Sequence, residues 1–160
     1  MSPYHYGGEM IHEVFFDRFT VNKLPFKMEA GTPNVAGVIG LGAAIDYIQS
    51  LGWEEIETRE KKLHQYFLQE IRKIENITLY TPETSASVVS FNVKNIHAYD
   101  IGMLLDSKGI AIRTGHHCCQ PLMRKLGVEG SCRASLAFYN TQEEVDYFIS
   151  TLKKSLVLLQ

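Results

Sequence analysis

The pattern of apolar and polar positions divides the chain near residue 53 into two stretches of different character. Residues 1–8 are rich in turn formers, and residues 9–16 suit an extended segment. Pro25, Gly31 and Pro33 interrupt the next stretch of chain. Asn34 is a suitable helix cap, and Val35, Val38, Ile39, Ile45 and Ile48 recur at helical spacing to Leu51, where Gly52 ends the run. A second helix is predicted from Trp53 to about Glu75. Its buried stripe is Ile56, Leu63, Phe67, Ile71 and Ile74.

Beyond it, strand and helix patterns alternate. Residues 77–80 read as a short strand. Residues 87–93 alternate cleanly, with Val89, Phe91 and Val93 on one face. Residues 98–107 read as a helix with Ile101, Leu104 and Leu105 inward, Lys108 in its last turn and Gly109 as its C-cap. A strand at 110–113, a short helix at 118–126 and a strand at 132–138 come next. Thr141 and Glu144 form a capping box for a last helix with the stripe Val145, Phe148, Ile149 and Leu152. The expected class is α+β, with helices packed on a small sheet from about residue 53. The first fifty residues read as the end of another domain.

Composition narrows the function classes. A hydrophobic fraction of 45% in 160 residues supports a packed core. The net charge is −2 with no basic stripe, so no nucleic-acid partner is expected. No apolar run approaches the roughly 20 residues that span a bilayer, so no membrane is expected, and the start has no signal-peptide pattern. The cysteines, Cys118, Cys119 and Cys132, are odd in number, and adjacent cysteines rarely bridge. Reduced thiols and a cytoplasmic setting are expected.

Candidate chemistry is densest at Arg113-Thr114-Gly115-His116-His117-Cys118-Cys119-Gln120-Pro121, where a strand meets a short helix. Pro121 suits a first helical turn, which places Cys118 at or just before the helix N-terminus. The helix dipole, Arg113 or a protonated His116 or His117 would favour an anionic sulfur there, the nucleophilic form. The same pattern also suits an inert buried cysteine beside surface histidines. Four consecutive ligand types make a poor chelate, because successive side chains diverge, so no metal is expected. Arg133, with Ser135 and Ala137, alternates against the apolar Cys132, Ala134, Leu136 and Phe138. It suits two hydrogen bonds to a carboxylate, or equally a structural salt bridge. Thr32, ahead of the helix at Asn34, suits a phosphate or simply a capped turn.

Together these segments resemble one family. Residues 26–34 (Phe-Lys-Met-Glu-Ala-Gly-Thr-Pro-Asn), 39–46, 113–118, 132–135 and 139–141 look like SufS-type, or group II, cysteine desulfurases, class V aminotransferases of fold type I. Residues 7–11 resemble a loop of that family, and the likeness covers essentially all 160 residues.

The resemblance implies a pyridoxal 5'-phosphate enzyme that converts L-cysteine to L-alanine and leaves a persulfide for iron-sulfur cluster assembly. It also implies selenocysteine lyase activity in some members. Cys118 matches the nucleophile, Arg133 the arginine that binds the substrate carboxylate, and Arg113 a second active-site arginine. Thr32 matches a threonine that reaches the cofactor phosphate of the partner subunit in a homodimer. SufE-like or SufU-like proteins are the implied sulfur acceptors. Residues 1–50 then correspond to the end of the large cofactor-binding domain and residues 51–160 to the small domain. Cys119 stands where the family usually has a small residue such as Ala, and Tyr6 where it more often has Gly. No lysine here follows a His, so the family's Ser-His-Lys anchor is expected outside these residues. A sulfur carrier, or a fragment that complements a separate half, is the alternative reading.

Overall fold

Asn34 acts as the expected cap: its side-chain oxygen accepts from the Gly37 N–H at 3.0 Å. Helix α1 runs from there over Val35–Leu51. The computed structural model describes residues 1–85 and 87–159. It forms two compact units, Met1–Leu51 and Gly52–Gln160.

The first unit opens with an antiparallel pair, β1 (Ile11–Val14) and β2 (Phe19–Val21), bulged between Ile11 and Glu13. Met10 is buried, and its carbonyl accepts from the Asn22 N–H at 2.8 Å. No residue of α1 is buried. Val38, Ile39, Leu41 and Ile45 are exposed, as are Phe15, Phe16, Phe19 and Phe26.

The second unit contains α2 (Trp53–Ile71), β3 (Ile77–Leu79), β4 (Val88–Val93), α3 (Ala98–Asp106), β5 (Arg113–Gly115), α4 (Gln120–Leu126), β6 (Ser131–Ser135) and α5 (Gln142–Leu159). The strands form one antiparallel sheet in the order β3-β4-β6-β5. Val89, Phe91 and Val93 of β4 and Cys132 and Ala134 of β6 are buried with Phe67 and Ile71 of α2, Ile101 and Leu105 of α3, and Phe148 and Leu152 of α5. Phe148 meets Phe67 and Phe91 edge-on, with ring centroids 4.9 and 6.2 Å apart. Each such pair contributes about 0.5–1.5 kcal/mol beyond area burial. Glu60 of α2 holds the sheet's end, accepting from the Ser87 hydroxyl and the Phe138 N–H, both at 3.1 Å. The capping box forms as expected: Thr141 accepts from Glu144 N–H, and Glu144 accepts from Thr141 N–H. Among the described residues, no single helix is long and apolar enough to cross a membrane.

Several boundaries differ from those the sequence pattern predicts. Helix α2 ends at Ile71, before a turn that carries the buried Ile74. The strand expected at 110–113 pairs instead as Arg113–Gly115. Gly109 turns at φ +75°, and Ile110 N–H still bonds back to Leu105 of α3. Ile110 and Ile112 pack on the core without entering the ladder. Strand β6 stops at Ser135, after which Leu136 N–H donates to the Ser87 carbonyl at 2.7 Å. The short helix begins at Gln120, two residues later than expected.

His64 of α2 is buried, and both ring nitrogens lack a hydrogen-bond partner among the described residues. Burial holds its pKa below the usual 6.5. The unfolded chain therefore takes up a proton below about pH 6.5 that the folded chain refuses. His64 contributes full stability above that pH and loses it as pH falls towards the folded value. The expected decline is at most about 1.4 kcal/mol per pH unit for this proton. Denaturant unfolding at pH 7.5 and 5.0 checks it. His64→Leu should unfold with a shallower dependence on pH.

Candidate active site

Strands β5 and β6 pair with Arg113 directly opposite Arg133 and Thr114 opposite Cys132. Opposite residues share a face. Thr114 and Cys132 take the core face, where a side-chain carbon on Gly102 of α3 would lie 2.7 Å from the Thr114 methyl. Both arginines therefore leave on the other face, beside Ser90 of β4, which pairs with Arg133. Like charges directly opposite each other on paired strands are destabilising. Among the described residues neither arginine has an ion pair. The Arg133 Nε is buried, with no acceptor among the described residues. This arrangement is suited to an anion.

The loop after β5 brings the thiol to this face. Cys119 N–H bonds the His116 carbonyl at 2.8 Å, closing a tight turn with His117 and Cys118 at its centre. Their φ angles are +52° and +56°. Left-handed backbone costs a non-glycine residue about 1–2 kcal/mol. Contacts hold the turn in place: Cys118 N–H donates to His116 Nδ1 at 3.1 Å, and His117 Nε2 donates to the Ser131 carbonyl at 3.0 Å. Arg113 reaches the Cys118 sulfur at 3.9 Å, placing a cation where an anionic sulfur would sit.

Two expectations are corrected here. Cys118 precedes α4 by two residues and Cys119 is the N-cap, so the helix dipole acts on Cys118 less directly than the sequence pattern suggests. His117 is not the expected neighbouring cation. A carbonyl only accepts, so Nε2 carries the proton and Nδ1 keeps a lone pair that is buried without a partner. Burial lowers the His117 pKa, the charges of Arg133 and Arg113 add to the effect, and the Ser131 hydrogen bond opposes it. His117 is a neutral pin for the loop.

Cys118 and Cys119 are both exposed. Cys132 is fully buried, its thiol facing the Ala98 carbonyl and its pKa pushed up by burial to about 12. The structure thus brings Cys118, Arg113 and Arg133 to one locality. Thr32 belongs to the first unit, exposed in the turn before α1. Sequence reasoning missed Ser131, which receives His117, and Gly130. A side-chain carbon on Gly130 would lie 2.9 Å from the Gly115 backbone, so the strand ends meet only because it is absent. Asn92 holds the Gly130 carbonyl at 2.8 Å. A glycine just before a strand was the available signal.

The model of the class V aminotransferase family matches residues 1–148. The chain belongs to that family. It is 51% identical over 160 residues to a probable cysteine desulfurase of Xylella fastidiosa, covering 99% of this chain and 38% of that protein. It resembles the crystal structure of the cysteine desulfurase CsdA (S-sulfonic acid) from Escherichia coli, with a TM-score of 0.90 and 40% identity, over 99% of this chain and 39% of that one. The apo structure of a cysteine desulfurase from Thermococcus onnurineus NA1 gives a TM-score of 0.87 and 40% identity, over 95% and 38%. This class V chain therefore spans about 38% of the length of the curated relative it matches.

Native-state alkylation checks the thiol environments. With limiting iodoacetamide at neutral pH, Cys118 should label ahead of Cys119, because only Cys118 has the Arg113 contact. Cys132 should label only on unfolding. Gly130→Ala should cost about 1–3 kcal/mol through overpacking, and should change the Cys118 labelling rate, read by peptide mass spectrometry.

Proposed function

We propose that this chain contributes the sulfur-accepting part of a cysteine desulfurase. The enzyme converts L-cysteine to L-alanine and leaves a persulfide on Cys118 for sulfur mobilisation. The observation that carries the reading is the opposed pair Arg113 and Arg133, with no ion pair among the described residues, beside an exposed thiol.

Arg133 binds the substrate carboxylate, which supplies the acceptor its buried Nε lacks. Arg113, 3.9 Å from the Cys118 sulfur, places a positive charge beside it as it attacks. The Cys118 thiolate then bonds the substrate sulfur, and the electron pair of the broken carbon–sulfur bond passes to the substrate carbon. His117, neutral and fixed to Ser131, keeps the turn in place without offering a competing charge. Pyridoxal 5'-phosphate, when bound, supplies the electron withdrawal that makes that carbon–sulfur bond labile. Thr32, exposed ahead of the 17-residue α1, would serve the phosphate of the cofactor held by the partner subunit of a homodimer.

The remaining assignments rest on the same resemblance. Residues 1–50 belong to the large domain and residues 51–160 to the small one. The bare apolar flank of α1 at Val38, Ile39, Leu41 and Ile45 supports a homodimer or a larger body that covers it. Exposure of Cys118 supports delivery of its sulfur to a SufE-like or SufU-like acceptor in the cytoplasm. Selenocysteine is a second substrate to be tested beside cysteine.

The test joins this chain to the portion of a curated relative that it does not match and measures alanine formed from L-cysteine. Cys118→Ser should abolish persulfide and alanine formation while cofactor absorbance remains. Arg133→Lys should lower kcat/KM about 10–100-fold, the worth of a lost charge-assisted pair of about 1.5–3 kcal/mol. The 160-residue chain alone, given pyridoxal 5'-phosphate, should form no alanine above the rate of the free cofactor. Full turnover by the Cys118→Ser chimera would overturn the assignment.

A further inference from the structure

We propose that Cys119 is a resolving thiol. It attacks a persulfide on Cys118, releases hydrogen sulfide and leaves a reducible Cys118–Cys119 disulfide. The inference rests on the reading of Cys118 as a persulfide carrier, and extends it to what happens when no acceptor takes the sulfur.

Both thiols are exposed and occupy the last two positions of one tight turn, closed by the Cys119 N–H to His116 carbonyl bond of 2.8 Å. Neither residue lies in regular helix. Cys118 has φ +56°, and Cys119, with φ −134° and ψ 58°, is an N-cap whose side chain makes no capping hydrogen bond. Its sulfur has no structural duty at the helix start. The third cysteine is fully buried in the core. The exposed thiol closest in the chain to Cys118 is therefore Cys119.

The chemistry balances without an external oxidant. The Cys119 thiolate bonds the Cys118 sulfur, the bond from that sulfur to the outer sulfur breaks, and the outer sulfur leaves with its electron pair as hydrosulfide. The persulfide is the oxidant. Attack on the inner sulfur is preferred on geometric grounds. Displacement at sulfur is close to linear, and an outer sulfur that leaves can swing into solvent. Attack on the outer sulfur would need that line to close within the short ring joining the two residues.

The product is strained. Neighbouring Cα atoms lie about 3.8 Å apart across a trans peptide, against about 4.4–6.8 Å for ordinary disulfides. A strained disulfide has a high reduction potential, so cellular dithiols reopen it. The pair thus acts as a discharge valve: an unclaimed persulfide is lost as sulfide, and the nucleophile stays blocked until reduced. Arg113, 3.9 Å from the Cys118 sulfur, favours reopening because it stabilises the departing Cys118 thiolate.

The test loads sulfur chemically, so it is independent of turnover and its failure is separate from failure of the desulfurase reading. The reduced chain and its Cys119→Ser variant are treated anaerobically with inorganic polysulfide, raised until the variant carries a persulfide on Cys118. Both are then alkylated and read by peptide mass spectrometry, with released sulfide assayed. The Cys118 persulfide should be shorter-lived in the unmodified sequence than in Cys119→Ser by at least about tenfold, a small part of the advantage of a tethered reactant. The peptide should become two hydrogens lighter than the dithiol, at a rate independent of protein concentration, and dithiothreitol should restore both thiols. Equal persulfide lifetimes in the two proteins would overturn the proposal. So would recovery of the outer sulfur on Cys119, or a disulfide that forms only between chains.

Discussion

The site depends on the register of β6 between β4 and β5. Along β6, Cys132 and Ala134 enter the core while Arg133 leaves it. A slip of one residue would exchange these faces. It would bury a guanidinium without a partner, at a cost of several kcal/mol, and expose two core residues. The hydrophobic face therefore enforces the register, and the register places Arg113 against Arg133. Burial of Phe91, Phe67 and Phe148, each worth about 1.5–3 kcal/mol, holds the register against the repulsion of the two arginines. The fold tolerates two cations with no ion pair among the described residues because the energy that fixes them lies on the opposite face of the same strands.

The same logic applies to the turn that carries Cys118. Two consecutive non-glycine residues in left-handed backbone would not hold alone. They hold because His117 is tied to Ser131 at the start of β6 and because Gly130 lets the strand ends close on Gly115. Ser131 is buried and opens β6, one of the two central strands. Strain at the thiol is thus anchored one residue from the core. His117 illustrates how a histidine beside a nucleophile can be structural: its protonation would add a third cation next to Arg113 and Arg133.

Much of the second unit was legible because its chain alternates or repeats at helical spacing. Val89, Phe91 and Val93, and the stripe Val145, Phe148, Ile149 and Leu152, are buried as their spacing indicated. The capping pairs at Asn34 and at Thr141 with Glu144 were readable because caps are local. The strand at Ile110 was misplaced for a physical reason. An apolar β-branched residue marks burial, and Ile110 and Ile112 are packed against the core, but hydrogen-bond pairing begins only at Arg113.

The sequence by itself determined which residue types the site contains and which strand face each would take, because alternation and capping are short-range rules. It also carried the family, through several motifs in order. Only the tertiary structure decided that Arg113 stands opposite Arg133, that His117 is a neutral pin, that Cys132 is out of reach, and that Cys118 and Cys119 share one exposed turn. These depend on which strands become neighbours and on how closely glycines let them approach. Such distances are set by the packing of segments far apart in the chain, and no local pattern encodes them.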